Sequence, residues 1–500
     1  MFERSCGVVL HISSLPSPYG IGTMGEEAYK FVDFLRDGGH TYWQVLPLGQ
    51  TGFGDSPYQC FSAAAGNPYF IDLDMLAQMG LLTKQDLYDA NAESNPDRVD
   101  YERLAQTRLN ILHRAFERID TTMIGKMTAF RLENRDWVED YAMFMSLKKY
   151  FDQKALWDWD DDAIKHRDPD AMQQYAFKLK DQIDFYVFMQ YIFFEQWNKL
   201  RTYANDKGIQ IIGDIPIYVS PDSCDVWAHP DMFQLDEDLK PNGIAGVPPD
   251  YYSATGQLWG NPTYNWEKIE KDDFAWWIWR VRRNLALFDV TRIDHFRGFY
   301  QYWEVPEGEE TAINGEWKDG PRMKLFEAIK EALGDVPIIA EDLGDIDDGV
   351  RDFLKESGYP GMRVMIFGMR ANENNEHIPF NWPKNCVGYT STHDSETIVE
   401  QIIDKCSPED RQFAYEYLRS NDREPLGWSA IRVAYASSCD IAMTTMQDVL
   451  SLGGDARMNT PSTLGGNWSW RVRREAINKD VSGFLRRAAY GSKRLNPKCR

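Results

Sequence analysis

The stretch Leu-Ala-Leu-Phe-Asp-Val-Thr-Arg-Ile-Asp-His-Phe-Arg-Gly, residues 285–298, is a short and mostly apolar run that ends abruptly in charged residues. A strand buried on both faces of a parallel sheet reads in this way, because helices cover both of its sides and only its end meets solvent. Seven more runs of this kind occur, at 7–12, 42–48, 209–219, 336–340, 362–367, 386–390 and 441–450, between amphipathic segments. Eight buried strands alternating with helices are what a closed barrel requires. The expected fold is α/β: a (β/α)8 TIM barrel with large inserted subdomains and no separate C-terminal β-domain. Short apolar runs also resemble buried helix, so the residues that end them must carry the argument.

At 500 residues the chain is longer than a bare barrel needs, and 1–500 is expected to form one elaborated catalytic unit. The surplus falls mainly between the second and third runs. A mainly helical insertion is expected over 60–205, between barrel strands 2 and 3, with helix formers densest over 86–201. Within it Phe185, Phe188, Met189 and Ile192 recur at helical spacing and give one apolar face, and Gly208 stands where a helix C-cap belongs. A second insertion, 219–280, is expected to be rich in loop and to lie over the active site. Its part 219–266 carries many Pro, Gly, Asn and Asp residues, which is loop chemistry rather than helix.

The formal net charge is -22, so a nucleic-acid or anionic-membrane partner is not expected, because phosphate binding needs clustered Lys and Arg. A neutral substrate fits better. Aromatic residues make up 14% of the chain, with 17 Trp and 25 Tyr. Such rings suit sugar faces, and equally a packed core. The seven Cys are scattered, with no C-x-x-C pair and no His at zinc-ligand spacing, which reads as reduced thiols in a reducing compartment. The start lacks a basic leader, and no apolar stretch approaches membrane-spanning length. A cytoplasmic location is expected.

Glycosidic bond cleavage needs one protonated carboxyl to assist the leaving oxygen and one carboxylate to capture or stabilise the anomeric carbon. Four acids end apolar runs: Asp214 in Ile-Gly-Asp-Ile-Pro, Asp294 in Arg-Ile-Asp-His-Phe-Arg-Gly, Glu341 in Ile-Ile-Ala-Glu-Asp-Leu-Gly, and Asp394 in Thr-His-Asp-Ser. Arg292 and Asp294, two apart on a strand, share a face, and the guanidinium is expected to keep the carboxylate ionised. Arg-x-Asp alone reads more readily as an ion pair that closes a strand end, and the three further strand-end acids reverse that reading. Glu341 is expected to titrate high through partial burial, while Asp342 points the other way. Glu341-Asp342 alone would read as a solvated loop pair. His393 and Asp394 have the chemistry of half a metal site, but no H-x-H or H-E-x-x-H partner stands near them, and no metal is expected.

Taken together these residues resemble the amylomaltase family of 4-α-glucanotransferases, also called disproportionating enzymes, within the α-amylase clan of glycoside hydrolases. The likeness runs from His11-Ile-Ser-Ser-Leu-Pro-Ser-Pro-Tyr-Gly-Ile-Gly through Gly54-Asp-Ser-Pro-Tyr-Gln and Gly213-Asp-Ile-Pro-Ile-Tyr-Val. It continues in Pro248-Pro-Asp-Tyr-Tyr-Ser-Ala-Thr-Gly-Gln-Leu-Trp-Gly-Asn-Pro and the strand-end acids, and ends at Arg457-Met-Asn-Thr-Pro and Asn467-Trp-Ser-Trp-Arg. The resemblance implies Asp294 as nucleophile, Glu341 as acid/base and Asp394 as holder of the distorted sugar's hydroxyls. It implies that Arg292, His393, Asp214, Tyr58, Trp259 and Asn261 bind substrate, with Tyr58 stacked on the donor sugar and Trp259 shaping the acceptor side.

The implied reaction is retaining transfer of 1,4-α-glucan segments between α-1,4-glucans and maltooligosaccharides, with glucose as an acceptor. No metal or organic cofactor is implied. Ser391 and Ser395, Phe380-Asn381-Trp382 and Phe53 depart from the commoner family pattern and bear on chain-length preference and outer contacts. Three other readings compete: a retaining α-glucan hydrolase, a noncatalytic glycan-binding barrel, and a metal-dependent barrel hydrolase.

Overall fold

The computed structural model describes residues 2–499 apart from Phe53, 92–94, 250–252, Asp345, Glu373, Asp422 and Leu464. The Phe53 departure and the Asp-Tyr-Tyr of the Pro-Pro-Asp loop therefore lie outside the described residues. The strands are, in chain order, β1 Ser5–Val9, β2 Tyr42–Gln44, β3 Gln210–Ile215, β4 Gly243–Val247, β5 Gln257–Pro262 and β6 Val290–Ile293. They continue with β7 Gln301–Pro306, β8 Glu316–Asp319, β9 Ile338–Ala340, β10 Gly361–Val364, β11 Cys386–Tyr389 and β12 Ile441–Thr445.

Eight of them form one sheet in the order β10-β11-β12-β1-β2-β3-β6-β9, every neighbouring pair parallel. Each of the eight apolar runs overlaps one of these strands. The sheet nearly closes between β9 and β10, where Ala340 N–H donates to Pro360 O at 2.9 Å. Asp342 stitches the same seam: one carboxylate oxygen accepts from Met362 N at 2.6 Å and the other from Arg363 Nη1 at 2.9 Å. The fold is the (β/α)8 TIM barrel, and beyond β12 the described residues add helices and no further strand.

Packing on the barrel's outer face sets the local sequence. A Cβ at Gly213 would lie 2.0 Å from the Phe288 ring, so only glycine lets that ring press on β3 immediately before Asp214. The β3–β6 register pairs Gly213 with Thr291 and Asp214 with Arg292, which sets Asp214 and Arg292 side by side facing the barrel axis.

Between β2 and β3 the chain is helical. Asp72, Asp100, Asp120, Asp161 and Asp168 each cap a helix there by accepting from a backbone N–H two or three residues on. Each such cap is worth about 1 kcal/mol, and together they give the surplus of acid a structural use. The helix Lys180–Asp206 is the longest of them, and Gly208 follows it at φ +86°. Its expected single apolar face is too narrow a description. Phe185 to Phe194 are all buried, because the helix lies between the barrel, where Trp197 Nε1 donates to Leu287 O at 3.0 Å, and the helix Val138–Tyr150. Each fully buried large side chain there contributes roughly 1.5–3 kcal/mol.

The stretch 219–266 is less irregular than its composition implies. It holds the helix Cys224–Ala228 and strands β4 and β5, which join β7 and β8 in an antiparallel sheet of order β5-β4-β7-β8. These strands are four to six residues long and half-exposed, so they lack the apolar run that marks the barrel strands. Trp43, Trp197, Trp227, Trp277 and Trp382 are fully buried core, whereas Trp259 is half-exposed at the cleft. All seven cysteines carry free thiols. Among the described residues no helix is long and apolar enough to cross a membrane, and no group of three or more His, Cys, Asp or Glu side chains is placed to hold a metal ion.

Candidate active site

The site forms where β3, β6, β9 and β11 end. Arg292 lies at its floor, with Nη1 2.5 Å from Asp214 Oδ2 and Nη2 2.8 Å from Asp294 Oδ1. Its Nε points to the Met362 sulfur at 3.5 Å, so the guanidinium is held on three sides. Burial alone would lower its pKa, but the two carboxylates outweigh that and hold it well above the usual range. Asp214 has no exposed side-chain surface. It anchors Arg292 and accepts from Tyr58 OH at 2.8 Å.

Asp294 follows β6 with its own N–H on Ile215 O at 3.0 Å, and 27% of its side chain stays open to the cleft. Glu341 follows β9 and is 9% exposed. Its Oε2 accepts from His295 N at 2.7 Å and its Oε1 from Leu343 N at 2.9 Å, which fixes both oxygens. His295 itself is left-handed, with φ 51° and ψ 51°.

Burial and the charge of Asp294 push Glu341 above the ordinary glutamate range. Asp294 is pushed up as well, which differs from the expectation that Arg292 would hold it low. Burial exceeds the effect of Arg292, and Asp214 and Asp394 add to it. The two carboxyls titrate as a pair, Glu341 above Asp294. At near-neutral pH the favoured arrangement is a protonated Glu341 facing an ionised Asp294.

The third acid is built differently. Asp394 Oδ2 lies 3.0 Å from His393 Nε2, and its Oδ1 accepts from Asn459 Nδ2 at 2.7 Å. Burial would raise its pKa, but His393 and Asn459 outweigh burial and hold it at about 2. Burial would lower His393, yet Asp394 outweighs it and the imidazole titrates above its ordinary value. Tyr58 OH sits 2.7 Å from the same Nε2. Since the hydroxyl already donates to Asp214, it accepts from the His393 N–H, which assigns the tautomer from the network. The Tyr58 and His393 rings stack at 5.4 Å and 10°, and Trp468, itself left-handed at φ 61°, packs beside both.

Trp259 and Asn261, both on β5, border this network. Trp259 meets the His295 ring edge-on at 4.9 Å and 90°. Asn261 is buried, donates to Val219 O at 2.7 Å and accepts from Gln59 Nε2 at 2.8 Å. It ties the loops beside the cleft together. Ser391 donates to the buried Asp448, and Ser395 Oγ accepts from Thr392 N at 2.9 Å, so both departures brace the turn that carries His393 and Asp394. Phe380 is 87% exposed and Trp382 is core, so that departure lies away from the carboxylates.

The structure thus joins Asp294, Glu341, Arg292, Asp214, Tyr58, His393 and Asp394 in one network. It adds Asn459, His295, Trp468, Leu343 and Gln59, none of which the strand-end reading selects. All five lie inside quoted motifs, Asn459 in Arg457-Met-Asn-Thr-Pro, Trp468 in Asn467-Trp-Ser-Trp-Arg, His295 after Asp294, Gln59 after Tyr58 and Leu343 in Ile-Ile-Ala-Glu-Asp-Leu-Gly. Motif membership was the available signal.

Fold and site together define a barrel enzyme with carboxyl groups gathered at its strand ends. The profile of the family described as 4-alpha-glucanotransferase matches residues 10–477. A 4-alpha-glucanotransferase of Clostridium butyricum is 45% identical over 479 residues, 96% of this chain and 98% of that one. One from Thermus thermophilus is 41% identical over 98% of this chain and 99% of its own. The solved amylomaltase of Streptococcus agalactiae in complex with acarbose superposes with a TM-score of 0.96 at 44% identity, covering 99% of this chain and 100% of that one. The chain belongs to the 4-α-glucanotransferase family, and glycosyl transfer rather than simple hydrolysis is its reaction.

Proposed function

We propose that the chain moves 1,4-α-glucan segments by double displacement, with Asp294 as nucleophile and Glu341 as acid/base. The ionised Asp294 attacks the anomeric carbon of the donor while Glu341 gives its proton to the departing 4-oxygen, leaving a covalent glycosyl ester. The 4-hydroxyl of an acceptor then attacks that carbon, Glu341 takes the hydroxyl proton, and Asp294 leaves. Two inversions give net retention, so the new linkages are α. Arg292 faces the charge that comes and goes on Asp294. Asp394, kept ionised by His393 and Asn459, accepts from hydroxyls of the distorted donor sugar. Tyr58 stacks on that sugar, and Trp259 covers the acceptor side and excludes water.

The observation that carries the assignment is the contrast between the two carboxyls. Among the described residues Glu341 has two backbone amides and no cation within ion-pair distance, while Asp294 has Arg292 at 2.8 Å and an opening to the cleft. This separates an acid from a nucleophile. The proposed substrates are α-1,4-glucans and maltooligosaccharides, with glucose among the acceptors, in a cytoplasmic setting and with no metal or organic cofactor. Incubation with maltotriose tests the reading: transfer yields glucose plus a ladder of longer chains, and shorter products alone would refute it.

A further inference from the structure

His295 touches both halves of the cleft, and the strand-end pattern gives it no role. It follows Asp294, is 9% exposed, and adopts the left-handed conformation that few non-glycine residues take. Two contacts hold it there. Its N–H donates to Glu341 Oε2 at 2.7 Å, and its ring stands edge-on to Trp259 at 4.9 Å. A Cβ at Gly298 would come within 3.2 Å of His295 Cδ2, so the glycine leaves the ring its place. Burial and the neighbouring Arg297 keep the imidazole neutral, with its pKa lowered to about 3. The ring therefore works through packing rather than charge.

We propose that His295 is a positioning residue that couples acceptor occupancy to the acid/base: a sugar resting on Trp259 presses the imidazole, holds the residue left-handed and so fixes the amide that orients Glu341. Water entering the cleft presses nothing. Glu341 then serves a sugar hydroxyl better than it serves water, which biases the glycosyl ester toward transfer. The inference rests on the reading of Glu341 as acid/base.

The test combines His295→Asn, His295→Ala and Trp259→Ala on maltotriose, reading the ratio of transfer to hydrolysis and the pH profile. Asparagine tolerates the left-handed region, so His295→Asn keeps the amide in place and removes only the ring. It should lower the ratio about tenfold, a modest discrimination of the size one packing contact gives, with the alkaline limb unmoved. His295→Ala should lower the ratio similarly and also raise the alkaline limb, because the amide favours the ionised form of Glu341. The other groups facing Glu341, Asp294 and Arg292 from β6 and Tyr389 from β11, are unchanged in these variants. Trp259→Ala should lower the ratio in the natural protein and have little further effect in the His295→Asn background. Additive effects of the two substitutions, or an unchanged ratio in His295→Asn, would overturn the proposal. Wild-type turnover in Glu341→Gln would instead overturn the acid/base reading itself, which keeps the two failures apart.

Discussion

Glu341 and Asp342 are consecutive at the end of β9, equally acidic and both buried, yet the cleft and the seam treat them oppositely. In the cleft, Glu341 faces another carboxylate and is held only by two amides. At the seam, Asp342 meets Arg363 at 2.9 Å and the Met362 N–H at 2.6 Å, which join β9 to β10. The alternation of a strand sends one side chain inward and the next outward, and the partners on each side decide the use. A paired and satisfied acid holds the barrel closed. An acid left facing a second acid titrates above its ordinary range and is available for chemistry.

The largest effects that sharpen this contrast are catalytic. Asp294→Asn and Glu341→Gln should each lower transfer by about 10³-fold or more while the protein stays folded. Asp342→Asn should leave activity per folded molecule nearly intact and cost about 2 kcal/mol in a denaturant titration, less than a full buried-pair loss because Arg363 keeps Glu376 at 3.1 Å. A dead but stable Asp342→Asn would erase the distinction between the two sites.

The pH response follows with a smaller range. The rate profile should be bell-shaped, with an acid limb from ionisation of Asp294 and an alkaline limb from loss of the Glu341 proton, both displaced above the ordinary carboxyl range. Stability should carry the matching sign. A carboxyl raised in the folded state supports folding below its unfolded pKa and loses that support as pH rises through the folded value, so Asp294 opposes the fold at neutral pH. The Tm gain of Asp294→Asn over the natural protein should therefore be larger at pH 7 than at pH 4, and the reverse order would contradict the raised value. Smaller still, Ser391→Ala should cost about 1 kcal/mol through its lost bond to Asp448, with activity following only as the His393–Asp394 turn loosens. Chelator should leave the rate unchanged, and a loss restored by one divalent ion would require a different mechanism.

Much of the barrel was legible because its strands are buried on both faces and so read as uninterrupted apolar runs. The strands β4, β5, β7 and β8 were not, since half-exposed residues on a small sheet carry no such run and their Gly and Pro content points to loop. The four acids stood out for the same reason that the strands did: each lies at the end of a buried run or a few residues beyond it. Their partners did not. Asn459 reaches Asp394 across 65 residues, and the positive φ of His295 and Trp468 is imposed by packing that no local pattern encodes. Sequence also does not say how far Asp214 and Asn261 are buried, because the side chains that cover them come from distant segments.

The account stands or falls on the covalent ester at Asp294. Glu341→Gln incubated with an α-glucosyl fluoride, whose leaving group needs no acid, should accumulate an adduct one sugar heavier than the protein, because the missing base slows its discharge. Peptide mapping by mass spectrometry should place that sugar on Asp294. An adduct on Asp214 or Asp394, or none under conditions where fluoride is released, would contradict the assignment.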